Sequence, residues 1–147
     1  MIYWFTGQPG AGKTTLVKML NTHLHPLKPM VVDGDDIREI FNNKDYSEVG
    51  RRKNVELAQH LAHFIHNKGG IALVSLVSPY KDQRDSFKEL IGTDNIKEIY
   101  VHTTEERGRE QFFVHNYEPP TENFIDLDTT EDTEFQSYKK VINYLGL

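Results

Sequence analysis

Cysteine is absent from the chain, which excludes a disulfide framework and any thiolate-held metal centre and suits a reducing compartment. No apolar run is long enough to span a bilayer, and the N-terminus lacks the basic, apolar, small-residue order of a secretory signal. The expectation is a cytoplasmic protein without membrane association. Positive charge is also short: 17 Lys and Arg stand against 22 Asp and Glu, a net charge of −5. A nucleic-acid partner held by a broad basic surface is therefore not expected. Internal repeats and low-complexity linkers are missing too. What remains is a chain of 147 residues, enough for one domain over 1–147 with a single buried core.

Against these absences one motif stands out. Gly7-Gln8-Pro9-Gly10-Ala11-Gly12-Lys13-Thr14 fits the phosphate-binding pattern GxxxxGK[ST] and follows the apolar run Ile2-Tyr3-Trp4-Phe5. Such a loop works where a buried strand hands over to a helix whose first amides point at anionic oxygens. Gly7, Gly10 and Gly12 permit the backbone angles that turn successive N–H groups inward. Lys13 supplies a mobile positive charge for the β- and γ-phosphates, and the Thr14 hydroxyl is a hard oxygen ligand suited to Mg²⁺. The candidate nucleotide-binding residues are Gly7 to Thr15 (Gly7, Gln8, Pro9, Gly10, Ala11, Gly12, Lys13, Thr14 and Thr15), the expected cofactors ATP and Mg²⁺.

Apolar runs alternate with helix-period segments, the signature of a parallel sheet covered on both faces. The pattern predicts strands over 2–6, 29–33, 70–77, 96–101 and 123–127, and helices over 13–24, 35–42, 47–67, 80–91 and 131–145. The fold class is α/β. Apolar stripes are expected through Leu16, Leu20 and Leu24, through Val55, Ala58, Leu61 and Ile65, and through Phe135, Tyr138, Ile142 and Leu145. Thr103 with Glu106 and Thr129 with Asp132 have capping-box spacing. Residues 103–122 fit no regular element, which predicts a lid or binding segment.

After the second strand comes Asp33-Gly34-Asp35-Asp36-Ile37-Arg38. Ligands in open α/β sheets bind beyond the carboxyl ends of the strands, so these acids should face the same crevice as the loop. An Asp there can accept the proton of an attacking hydroxyl, or can simply cap the next helix. The third strand offers no acid at its end, which leaves Mg²⁺ to Thr14, phosphates, water and these Asp side chains.

The loop, the Asp33–Arg38 stretch, Tyr46-Ser47 through Arg51 to Asn54, and Val77-Ser78-Pro79-Tyr80 followed by Arg84 together resemble the adenylylsulfate kinases, in that family's order over about two-thirds of the chain. The resemblance implies a P-loop kinase fold in which MgATP phosphorylates the 3′-hydroxyl of adenosine 5′-phosphosulfate. It implies catalytic roles for Lys13 and Asp35, with Asp35 handling the hydroxyl proton. It places Asp33, Asp35 and Arg38 in the acceptor pocket, Tyr46 against the acceptor base, Arg51 and Asn54 at its phosphosulfate end, and Val77, Ser78 and Pro79 in the pocket wall. A homodimer is a further implication.

The chain departs from the family after the fourth strand. There the family carries an Arg-Asp and then a Lys-Gly-Leu-Tyr closing segment, and this chain runs Thr103-Thr104-Glu105-Glu106-Arg107-Gly108-Arg109-Glu110-Gln111-Phe112-Phe113. The lid is shortened. Arg107 or Arg109 is the basic residue expected to reach phosphate or stack on the donor base. Two alternatives remain: a kinase for another nucleotide, nucleoside or polynucleotide end, and a regulatory relative that binds nucleotide without transfer. His60, His63 and His66 recur every three residues but lack an acidic partner, so they read as a polar helix side.

Overall fold

The computed structural model describes residues 1–147. Its strands are β1 (Ile2–Thr6), β2 (Met30–Asp33), β3 (Ala72–Ser75), β4 (Ile96–His102) and β5 (Phe124–Asp128); its helices are α1 (Lys13–His23), α2 (Gly34–Ile40), α3 (Glu48–Asn67), α4 (Lys81–Ile91) and α5 (Glu134–Leu145). The strands form one parallel sheet in the order β2-β3-β1-β4-β5. This is the expected α/β architecture. No helix is long and apolar enough to cross a membrane.

Strand β1 lies between β3 and β4, and all five of its residues are buried. Ile2 and Trp4 enter the core formed with α2, α3 and α4, where the Trp4 and Phe87 rings lie 5.5 Å apart. Tyr3 and Phe5 enter the opposite core with Leu16, Val17 and Leu20 of α1 and Val141 of α5. A strand covered on both faces shows a continuous apolar run instead of alternation, as its sequence does.

The apolar stripes differ from the sequence expectation in two helices. In α3 the third position of the stripe is Ala62 instead of Leu61, which is 36% exposed. In α5 Tyr138, Ile142 and Leu145 pack against the core as expected, with Ser137 and Val141 buried beside them, and only Phe135 points outward at 59% exposed. The capping box is neither expected pair. Thr133 caps α5 with Gln136, the Thr129 hydroxyl donates to the Ala11 carbonyl at 2.9 Å, and Thr103 accepts the Glu105 N–H within a turn. No helix begins at Thr103.

Residues 103–122 contain only a 3-10 turn at Glu110–Phe112, yet they are anchored at several points. The Tyr117 hydroxyl lies 2.8 Å from Thr6 Oγ1, and the Glu118 N–H donates to the Pro79 carbonyl at 2.8 Å. Arg84 donates to the Glu118 carbonyl and Lys88 to that of Glu122. Both cations share buried Glu98, with Arg84 Nε 2.9 Å from Oε1 and Lys88 Nζ on Oε2. Burying three charges is tolerable because every one of them has a charged partner and the cations also find carbonyls. Arg84, a residue of the family-like motif, is thus engaged in holding Ser78, Glu118 and Glu98 together.

Replacing Glu98 with Ala strands two buried cations, and we expect a loss of about 3–5 kcal/mol in unfolding free energy. Urea denaturation measures it; a loss below 1 kcal/mol would remove the triad as a support of this segment.

Candidate active site

A cleft of about 1050 Å³ opens at the carboxyl ends of the strands. Its floor is the loop between β1 and α1. Gly7 has φ +150°, and a Cβ there would sit 2.1 Å from the Val101 carbonyl oxygen, so only glycine lets β1 turn into the loop beside β4. Gly12 caps α1 at φ +111°. Pro9, Gly10, Ala11, Gly12, Lys13, Thr14 and Thr15 all line the cleft. Gly7 and Gln8, expected beside them, do not: Gly7 is packed on β4, and the Gln8 side chain turns away to Val114.

Lys13 is buried, with Nζ donating to the carbonyls of Gly7 at 2.7 Å and Gln8 at 2.9 Å. Burial lowers its pKa to about 8, and the positive charge of Arg109 pushes the same way against Asp33 and Asp35. The amine is held in reserve within its own loop.

Facing the loop are the acids at the end of β2. Asp33 pairs in register with Ser75 of β3, so it stands beside the position where the sequence lacked an acid. Its carboxylate accepts the Asp35 N–H at 2.9 Å and caps α2, and burial raises its pKa. This Asp therefore both caps α2 and faces the cleft. Asp33 and Asp35 line the cleft, and both are close enough to be felt at Lys13.

The acceptor-side candidates gather at the same end. Arg38, Tyr46, Arg51, Asn54, Val77, Ser78 and Pro79 line the cleft. Arg38 is not a free fork: Nη1 donates to the carbonyls of Asn43 and Asp45 at 3.0 Å, and the guanidinium lies 4.0 Å over the Tyr46 ring. It builds a platform from Tyr46, which is 64% exposed. Arg51 turns into the cleft, whereas its neighbour Arg52 pairs outside with Asp82 at 2.9 Å and stacks on Tyr80. Asn54 is 6% exposed; its Nδ2 donates to the Gly34 carbonyl and its Oδ1 has no partner. Ser78 adopts φ +48° and is pinned by Trp4 Nε1 at 2.9 Å and by Arg84 on its carbonyl.

The two arginines left as alternatives are separated by the structure. Arg107 donates to Ala11 O at 3.2 Å and to Thr129 Oγ1 and O at 3.0 and 2.9 Å, and pairs with Glu105 at 3.0 Å. It is fixed beside the end of the loop and β5. Arg109 packs over Gly10, its Cβ 3.1 Å from where a Gly10 side chain would begin. Thr129, Asp132, Glu134 and Ser137 also line this end. The sequence pointed to Asp132 only through its capping-box spacing with Thr129, because its approach to the cleft depends on β5 lying beside β4.

A shift of Lys13 to about 8 has two consequences of opposite sign. In the free protein the buried ammonium is a cost below that pH, relieved as pH rises toward the ordinary lysine value, so this group favours the fold with rising pH across that window. A triphosphate held by this loop would need the ammonium, so its affinity would fall as pH rises through about 8 and protons would be taken up on binding. Calorimetry in buffers of different ionisation enthalpy measures that uptake, which Lys13→Ala abolishes. Uptake persisting in the variant would place the titration elsewhere.

Comparison with known proteins agrees with this geometry. The family model for adenylylsulphate kinase matches residues 1–135. The adenylyl-sulfate kinase of Staphylococcus carnosus is 28% identical over 99% of this chain and 83% of its own length, and that of Pseudomonas aeruginosa 29% over 98% and 84%. The Mycobacterium tuberculosis APS kinase, solved in complex with AMPPNP and APS, superposes with a TM-score of 0.81 at 21% identity over 99% of this chain and 97% of that one.

Proposed function

We propose that this chain, which belongs to the adenylylsulfate kinase family, transfers the γ-phosphoryl group of ATP to the 3′-hydroxyl of adenosine 5′-phosphosulfate (APS), giving ADP and 3′-phosphoadenosine 5′-phosphosulfate. The observation that carries the reading is the convergence of the phosphate loop, Lys13, the two acids Asp33 and Asp35, and Arg51 on one cleft. A transfer enzyme needs its donor cradle and its proton acceptor within reach of one another.

Lys13 exchanges the carbonyls of Gly7 and Gln8 for phosphate oxygens, and the loop amides stabilise the charge that develops on the transferred group. Thr14 and Asp33 are hard oxygen donors in the same cleft, a set that fits Mg²⁺ together with phosphate and water. When bound, that ion neutralises phosphate charge. Asp35 orients the acceptor hydroxyl and takes its proton. Arg51 grips the anionic end of the acceptor with a forked guanidinium, and Tyr46, backed by Arg38, presents a stacking face for its base. Arg107 packs against the donor base, and Arg109 reaches toward the phosphates. Residues 111–114, which line the cleft, take the place of the family's longer closing segment.

Incubation with MgATP and APS, followed by chromatography, is expected to give ADP and the 3′-phosphorylated product in equal amounts. Asp35→Asn lowers kcat by about 10²–10⁴-fold with ATP binding retained. Tight ATP binding with no product above a Lys13→Ala control would favour a regulatory relative, and product only with another acceptor would reassign the pocket. Arg107→Ala is expected to weaken ATP by about tenfold and leave the KM for APS within twofold. A selective rise in the acceptor KM would contradict the placement of Arg107.

A further inference from the structure

The Gln8 carboxamide makes a two-bond clamp across the cleft wall. Its Nε2 donates to the Val114 carbonyl at 2.7 Å, and its Oε1 accepts the Val114 N–H at 2.9 Å. The partners fix the orientation of the amide, because an N–H must meet Oε1 and a carbonyl must meet Nε2. Val114 is buried and belongs to the stretch 111–114 that lines the cleft. On the other side of the same residue, the Gln8 main-chain carbonyl is one of the two that hold the Lys13 amine, at 2.9 Å. Gln8 is thus bonded at its backbone to the group that must move to meet phosphate, and at its side chain to the segment that closes the acceptor side.

We infer that Gln8 is a positioning residue that transmits occupancy of the phosphate loop to the closing segment 111–114. The inference rests on the kinase reading only in taking Lys13 as the phosphate ligand. Departure of the amine from the Gly7 and Gln8 carbonyls alters what holds Gln8 in place, and the paired hydrogen bonds carry that change to Val114. The clamp also accounts for how residues 103–122 are kept over the cleft: Gln8 holds Val114 near their middle, while Thr6, Arg84 and Lys88 hold Tyr117, Glu118 and Glu122 at their C-terminal end. Coupling of this kind is reciprocal, so a docked segment favours the donor-bound loop to the same degree.

Gln8→Met keeps the length of the side chain and loses both bonds. Amide exchange followed by mass spectrometry, with and without the non-hydrolysable analogue AMPPNP, reads the clamp without any turnover. Exchange at Val114 is expected to rise by about tenfold in the variant, and the change that AMPPNP produces over 111–114 in the natural protein is expected to vanish. Calorimetry should show AMPPNP still binding within about threefold, since the loop amides are intact. Gln8→Glu adds a readout that a space-filling role would not move. Its carboxylate faces the Val114 carbonyl at neutral pH, so protection is low, and protonation as pH falls restores both bonds and the protection. Equal AMPPNP responses in Gln8→Met and the natural protein, or Val114 protection in Gln8→Glu that ignores pH, overturn the inference. Absence of APS turnover with the AMPPNP response intact overturns the assignment of APS as acceptor and leaves the clamp standing.

Discussion

The way β1 ends constrains the site. The strand is buried on both faces, and Gly7 has no room for a side chain because the Val101 carbonyl occupies it. The chain must therefore turn at that residue, and the turn sets the loop amides and Lys13 at the carboxyl edge of the sheet. Because β3 separates β1 from β2, with Asp33 in register with Ser75, the acids of β2 come to the same edge across one intervening strand. The loop and the acids share a cleft through sheet register more than through any direct bond.

Around that frame the site is built by groups that hold one another. Arg38 spends its guanidinium on two carbonyls and the Tyr46 ring, and Trp4, in the centre of a core, reaches Ser78 in the wall. Glu98 joins Arg84 and Lys88, which fasten the C-terminal end of the segment 103–122 at Glu118 and Glu122. These supports leave a smaller set free for ligand: Thr14, Asp35, Arg51 and the Oδ1 of Asn54. Such a division between supports and free groups is what preorganised catalysis requires.

The sequence made legible whatever is encoded over a few neighbouring residues. The phosphate loop, the Asp-Gly-Asp turn and the alternation of strands and helices could be read because each motif sets its own backbone. Less legible were features set by distant partners. Gln8 meets Val114 across 106 positions, and Arg84 meets Glu98 through the pairing of a helix with a strand, so neither bond has a local signature. The misplaced stripes have a different cause. In α3 two successive three-residue steps, Val55 to Ala58 to Leu61, fall short of two full helical turns, so the inward position is Ala62 instead of Leu61. At the start of α5, Thr133 with Gln136 offered the same cap as the expected pair four residues earlier, and the earlier Thr was taken by Ala11.

The central claim is that one cleft holds both reactants at once. Calorimetric titration with a bisubstrate compound, adenosine joined through a polyphosphate to the 3′-oxygen of adenosine 5′-phosphosulfate, tests it most directly. A single shared cleft binds one molecule per chain, at an affinity well above that of either half, with both ATP and APS displaced. Two molecules per chain, or an affinity no better than that of ATP alone, would mean that the two pockets are not one site.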